Sequence, residues 1–272
     1  MEEMDATAAL ISWEFDTSMP SHPNKQNDLL RFIEGVVLMR IYIIRHADPD
    51  YENDTITPRG HLEAKALAER MLWENIDSIY CSPLQRAQHT MNYTRELIGL
   101  PFETQDWLAE IQNWQTFDTK GRPIPAWNVD GEIIRGRMPL LTSDNFHEAE
   151  PFSNPAIRQG FAEIRSHSDR FIKEMGFHRE GGRYRIQKPN ERKIAVFCHM
   201  GFALAWLAHL LEMPLPLLWS GFWLAPSSVT TILMDTRSEQ WAVPRCLGIG
   251  DVSHLYDTKL PVSRQGIIAN FY

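Results

Sequence analysis

Residues 39–48, Met39-Arg40-Ile41-Tyr42-Ile43-Ile44-Arg45-His46-Ala47-Asp48, decide the fold. Met39–Ile44 is a short run rich in β-branched side chains, the pattern of a strand buried on both faces. It breaks off at Arg45-His46-Ala47-Asp48-Pro49, a polar loop closed by a proline. The chain therefore predicts a central strand that delivers a cation and an imidazole from its carboxyl end.

The rest of the chain repeats this layout. Thr57-Pro58 reads as a helix start, with Thr57 as N-cap and Pro58 in the first turn. Leu62, Ala66, Leu67 and Met71 then recur at helical spacing through Gly60–Trp73. Asp77–Cys81 is a second strand, and Ser82-Pro83 caps a helix running to about Ile98. Pro155–Met175 reads as a long helix. Lys193–Phe197 is another buried strand, followed by Cys198-His199-Met200-Gly201 and a helix to about Leu211. Ser228–Met234 and Gln240–Leu247 read as two more strands. Strands alternating with helices predict an α/β fold, with a mostly parallel central sheet and helices on both faces. Residues 112–155 interrupt the rhythm with Gly, Pro and Trp, and read as an inserted, lid-like segment. Residues 1–38 are polar and read as an N-terminal extension, partly disordered or packed outside, with a short amphipathic helix around Asn27–Glu34. The catalytic domain is expected at 39–272.

Composition narrows the function. Lys and Arg number 27 and Asp and Glu 35, a formal charge of −8. An acidic surface argues against nucleic acid and anionic membranes as partners. It leaves room for a small anionic substrate held by a few local arginines. No apolar run approaches the ~18 residues of a membrane span. The N-terminus carries acids where a secretory signal needs bases. Cys81, Cys198 and Cys246 are widely spaced and read as reduced thiols of a cytoplasmic protein. The oligomeric state has no signature.

In parallel sheets ligands bind beyond the carboxyl ends of the strands. Arg45, His46 and His199 each follow a strand end, and Arg86 lies in the first turn of a helix that follows another. Phosphoryl transfer needs a nucleophile, fixed positive donors and an acid for the leaving alkoxide. Arg45 and Arg86 offer planar forks to phosphoryl oxygens. A neutral His46 offers a nucleophilic ring nitrogen, and neighbouring arginines lower its pKa. His199 is placed to donate to an equatorial oxygen. Taken singly, each has a plainer reading: Arg45 a loop cation, His46 a loop histidine, Arg86 a helix-surface charge, His199 a satisfied core histidine.

Arg45-His46-Ala47 resembles the RHG/RHA signature of the histidine phosphatase superfamily, which contains the phosphoglycerate mutases. Thr57-Pro58-Arg59-Gly60, Ser82-Pro83-Leu84-Gln85-Arg86-Ala87 and Cys198-His199-Met200-Gly201 are similar to its later motifs, in the same order. The resemblance covers about 39–256 and is weakest over 112–155. It implies that His46 is phosphorylated and that Arg45, Arg86 and His199 bind the phosphoryl oxygens, with the Met200 backbone N–H available beside them. It implies an acid in a segment like Leu108-Ala109-Glu110, which points to Glu110, with Asp106 and Glu103 as rival carboxylates. The implied activity is that of a phosphoric monoester hydrolase of the histidine acid phosphatase type, with a small phosphorylated substrate and neither metal nor other cofactor.

The departures bear on the reaction. Ala47-Asp48-Pro49-Asp50-Tyr51-Glu52 replaces the stretch that follows the histidine in mutases. Arg122, Arg135 and Arg137 lack the context of the mutases' carboxylate-binding bases. A phosphatase is therefore preferred to a mutase-type phosphotransferase or a non-catalytic phospho-ligand binder. Cys81 stands one residue too close to Arg86 for a cysteine phosphatase loop. Asp48, Asp251 and His254 form the alternative metal set. Trp107, Trp114 and Trp127 are candidates for the pocket wall.

Overall fold

The computed structural model describes residues 39–136, 138, 141–142 and 145–267. The extension over 1–38, with the helix expected around Asn27–Glu34, lies outside the described residues. In chain order the elements are strands β1 (Arg40–Arg45), β2 (Pro49–Asp50) and β3 (Thr55–Ile56), helix α1 (Pro58–Glu74), strand β4 (Ser78–Cys81), helix α2 (Gln85–Ile98) and strand β5 (Phe102–Thr104). A hairpin of β6 (Gln115–Phe117) and β7 (Pro123–Pro125) follows, then helices α3 (Gly131–Arg135) and α4 (Pro155–Glu174). Strands β8 (Phe177–Glu180), β9 (Arg183–Ile186) and β10 (Lys193–Cys198) lead to helices α5 (Met200–Leu210) and α6 (Leu215–Gly221). Strands β11 (Val229–Thr236) and β12 (Trp241–Asp251) and helix α7 (Ser253–Asp257) complete the order.

Eight strands form one sheet in the order β5-β4-β10-β1-β11-β12-β9-β8. The first four are parallel, and every pairing from β1 onward is antiparallel. Two of the eight, β11 and β9, run against the rest, so the sheet is mostly parallel in direction, as expected. The parallel half is buried on both faces. Ile41 and Ile43 of β1 join Ile194 and Val196 of β10 in a core with α4 and α5. The alternate residues Tyr42, Ile44, Ala195 and Phe197 pack against Leu67 and Met71 of α1 and Met91 of α2. The period of two along each strand thus supplies both helix layers.

Two helix starts differ in how they are made. Thr57 caps α1 as expected, its Oγ1 accepting from Gly60 N at 3.0 Å. Gly60 is required there by space: a Cβ would lie 2.5 Å from the Asp48 carbonyl oxygen. Ser82, by contrast, is not the cap of α2, which begins at Gln85. The Ser82 hydroxyl turns instead to His199, and the Asp54 carboxylate accepts from Gln85 N at 3.0 Å.

The described part of segment 112–155 is anchored in the domain. Trp114, Ile134, Phe146 and Phe152 are buried in the main core. The β8–β9 hairpin, which the sequence did not announce, extends the sheet at its antiparallel edge. Among the described residues no helix is long and apolar enough to cross a membrane.

Candidate active site

The strand ends of β1, β10 and β4 lie side by side, and backbone hydrogen bonds continue the ladder beyond them. His46 N donates to Cys198 O at 3.0 Å, Ser82 N to Phe197 O at 2.9 Å, and Ser227 N to His46 O at 3.0 Å. Three loops are thereby tied into one rim. Arg45, His46, Arg86 and His199 gather there and are all buried, at 2%, 1%, 8% and 0% exposure.

His46 is held in one tautomer. Its Nδ1 lies 2.8 Å from the Ala47 carbonyl oxygen, which only an N–H can satisfy. In the neutral ring Nε2 is then the unprotonated nitrogen. Burial, with Arg45 and Arg86 adding repulsion, holds the imidazole well below the usual histidine range. The His199 ring stands 5.2 Å from His46, centre to centre. Its Nε2 lies 2.7 Å from Ser82 Oγ, which already accepts from Leu84 N at 3.2 Å. The hydroxyl hydrogen is free to be donated to Nε2. That pairing puts the ring proton on Nδ1, a buried nitrogen with no partner among the described residues. Burial, followed by His46 and the two arginines, also lowers the His199 pKa well below its ordinary value.

Each arginine is gripped on one side and free on another. Arg45 Nη1 donates to Leu224 O at 2.6 Å and lies 3.9 Å from Met200 Sδ. Arg86 Nη1 donates to Asp54 Oδ1 at 2.5 Å. Both Nε atoms are buried without partners among the described residues. Tyr51 joins the group: its ring meets His46 edge-on at 6.2 Å, its hydroxyl lies 3.4 Å from Arg45 Nη2, and the Arg86 guanidinium stands 5.6 Å from its centre.

Glu110 is brought to the same rim by a short 3-10 turn, Asp106–Leu108. Its carboxylate accepts from Gly201 N at 3.2 Å and Phe202 N at 2.9 Å, at the start of α5. Gly201 makes the approach possible, because a Cβ there would lie 2.9 Å from Glu110 Oε1. Burial pushes the Glu110 pKa up, against the pull of these backbone donors and of Arg86. The rivals Glu103 and Asp106 are exposed and line a separate cavity with Arg170 and Glu174.

The alternatives separate in space. Burial pushes the Cys81 and Cys198 thiols up, away from thiolate chemistry. Asp48 accepts from Thr57 and Ser263, Asp251 from Arg70, and His254 pairs with Ser227. Among the described residues no three metal-ligating side chains gather. Arg122 pairs with Asp118, Arg135 reaches Ser220, and Arg137 lies outside the described residues. Asp54 and Tyr51 were missed by sequence reasoning. Tyr51 sits in the stretch Ala47–Glu52 that departs from the mutase pattern, and Asp54 lies two residues beyond it, with no signal of its own.

The fold is that of phosphoglycerate mutase-like phosphatases. A phosphoserine phosphatase variant from Entamoeba histolytica, solved with phosphoserine, superposes with a TM-score of 0.53 at 19% identity, over 80% of this chain and 99% of that one. A mycobacterial glucosyl-3-phosphoglycerate phosphatase gives 0.51 at 19% identity, over 77% and 97%. At such identity the likeness is one of fold. Residues 41–124 match the family model of the Histidine phosphatase superfamily (branch 1). A Hydrogenobacter thermophilus protein provisionally named phosphoserine phosphatase 2 is 29% identical over 83 residues, 27% of this chain and 41% of that protein. The match therefore spans less than half of that relative's length. The family match thus covers β1 to β7, and beyond it the likeness to known proteins is one of fold.

Proposed function

We propose that this protein is a phosphomonoesterase that hydrolyses a small phosphorylated substrate through a phosphohistidine on His46. The observation that carries this reading is the His46 Nδ1 hydrogen bond to Ala47 O, which leaves Nε2 as nucleophile between two arginines and His199. Nε2 attacks phosphorus, an N–P bond forms, and the P–O bond to the alcohol breaks. The free N–H groups of Arg45 and Arg86, with His199 Nδ1, stabilise the charge spread over the phosphoryl oxygens. Glu110 gives its proton to the departing oxygen. Its carboxylate then takes a proton from water, whose oxygen attacks phosphorus as the N–P bond breaks. Inorganic phosphate leaves, and neutral His46 and protonated Glu110 are restored.

These steps draw on side chains alone, so the reaction is proposed to need no metal. A neutral His46 and a protonated Glu110 coexist at acid pH, which supports the histidine acid phosphatase type. The phosphatase names of the fold relatives agree with hydrolysis. A mutase reading finds less support, because Arg122 and Arg135 are exposed, Arg122 paired with Asp118 and Arg135 with Ser220. The test is turnover of 4-nitrophenyl phosphate by wild type and His46→Ala, with and without a chelator. The proposal expects wild-type activity that survives chelation and is lost in the variant. Full activity in His46→Ala, or loss on chelation, contradicts it. Phosphate moved between positions of one substrate, with little inorganic phosphate released, would favour the mutase.

A further inference from the structure

Beside the phosphoryl site lies a cavity of about 280 Å3 that the mechanism above does not use. Its walls include four aromatic side chains, Trp127, Trp219, Phe222 and Trp223. Its lining residues touch two members of the candidate site, Arg45 and Glu110. Met200, one of its lining residues, stands 3.9 Å from Arg45 Nη1 through its sulfur. Gly266, another, lies against Nη2 of the same guanidinium. The Trp127 ring borders the same face of Gly201 that holds the Glu110 carboxylate; a Cβ at Gly201 would be 2.9 Å from both. An alcohol oxygen protonated by Glu110 therefore has Trp127 as its neighbour, and the rest of the alcohol has the aromatic cavity.

The charge of this cavity is as informative as its shape. Among its described lining residues Asp130, exposed at the mouth, is the sole ionisable one, and no arginine or lysine is present. Arg135 touches Ser220 and Gly221 but is not among the lining residues and is itself exposed. A carboxylate held among the aromatic rings would find no cation among the lining side chains, Arg45 standing behind Met200 and Gly266 with Leu224 O and Tyr51 as its partners, and desolvating it there is costly. An aromatic ring would find edge and face partners. A cavity of roughly 150 Å3 accepts a benzene ring, so this one has room for a ring and a short linker.

We infer that the alcohol released from the phosphate ester is aromatic and carries no carboxylate, in contrast to the phosphoserine bound by the fold relative. This rests on the hydrolytic reading for the role of Glu110, but the cavity can be tested without turnover. The probes are 2-phenylethyl phosphate and 3-phosphoglycerate, both alkyl esters, so that leaving-group ability does not decide the comparison. Calorimetric titration of His46→Ala protein with each should give at least tenfold tighter binding of the phenylethyl ester. Adding Trp127→Ala should bring the ratio toward one, while Trp127→Phe, which keeps a ring and is milder on folding, should retain most of it. Equal or tighter binding of 3-phosphoglycerate overturns the inference, as does a ratio indifferent to Trp127→Ala. Wild-type hydrolysis of both esters is read separately: discrimination in binding with no turnover of either rejects the hydrolytic reading and upholds the aromatic pocket.

Discussion

Asp54 holds Arg86 and the start of α2 with its two carboxylate oxygens, one 2.5 Å from Arg86 Nη1 and the other 3.0 Å from Gln85 N. It does so from a left-handed backbone position, φ 48°, which Asp and Asn tolerate better than most residues. One residue thus performs two tasks, holding the guanidinium proposed to bind phosphate and capping a helix.

The two tasks separate by mutation. Asp54→Asn keeps an oxygen for Gln85 N but loses the ion pair. It should leave stability nearly unchanged and lower kcat/KM about tenfold, which is about 1.4 kcal/mol. Asp54→Ala should lose the same activity and about 1 kcal/mol of stability as well, from the missing cap. Steady-state kinetics and urea unfolding check both. A rise in kcat/KM on Asp54→Asn would mean that the carboxylate competes with substrate and does not orient Arg86.

Glu110 predicts a leaving-group dependence. Glu110→Gln cannot protonate the alcohol, so hydrolysis of alkyl esters should fall by about 100-fold, within the usual range for a general acid. Aryl esters, whose phenolates leave unaided, should lose much less in the phosphorylation step. The raised pKa of Glu110 keeps it protonated above the ordinary carboxylate range. The lowered pKa of His46 keeps the nucleophile neutral below the ordinary histidine range. Activity should therefore extend well to the acid side of pH 6.5 and fall as pH rises through the Glu110 pKa. A pH–rate profile whose alkaline limb is unchanged in Glu110→Gln would assign that limb elsewhere.

Glu63 predicts a stability effect apart from catalysis. Its buried carboxylate accepts from Asp48 N at 2.8 Å and Arg59 Nε at 3.1 Å, and burial raises its pKa to about 7. The folded state then binds more protons than the unfolded one between about pH 4.5 and 7. Stability is fully present below that window and declines as pH rises through it, by on the order of 3 kcal/mol in total. Glu63→Gln removes the titration. Urea unfolding across this window should show a decline in wild type that is flatter in the variant; parallel curves would show that Glu63 is not its source.

The legible parts of the fold were those whose residues repeat a physical pattern. Ile41–Ile44 and Ile194–Phe197 are buried on both faces, so unbroken apolar runs marked them, and Thr57-Pro58 marked α1 through cap and ring geometry. The β8–β9 hairpin has mostly polar, half-exposed side chains, as in Phe177-His178-Arg179-Glu180, and no pattern separates these from a loop. The sequence placed His46, Arg45, Arg86 and His199 because each abuts a strand or helix end. Glu110 came from motif resemblance, and its contact with Gly201 depends on a turn 91 residues away in sequence. Asp54, Tyr51 and the aromatic cavity depend on loops whose meeting no local pattern encodes. Ser82 was legible as a motif residue but not in its role, since its partner His199 is 117 residues distant.

The covalent state of His46 during turnover tests the central claim most directly. Wild-type protein mixed with a phosphate monoester, quenched under alkaline conditions and analysed by peptide mass spectrometry should carry one phosphoryl group on His46, labile to acid and absent from His46→Ala. Steady turnover with no phosphoryl group on His46, or with the group on another residue, would contradict the account.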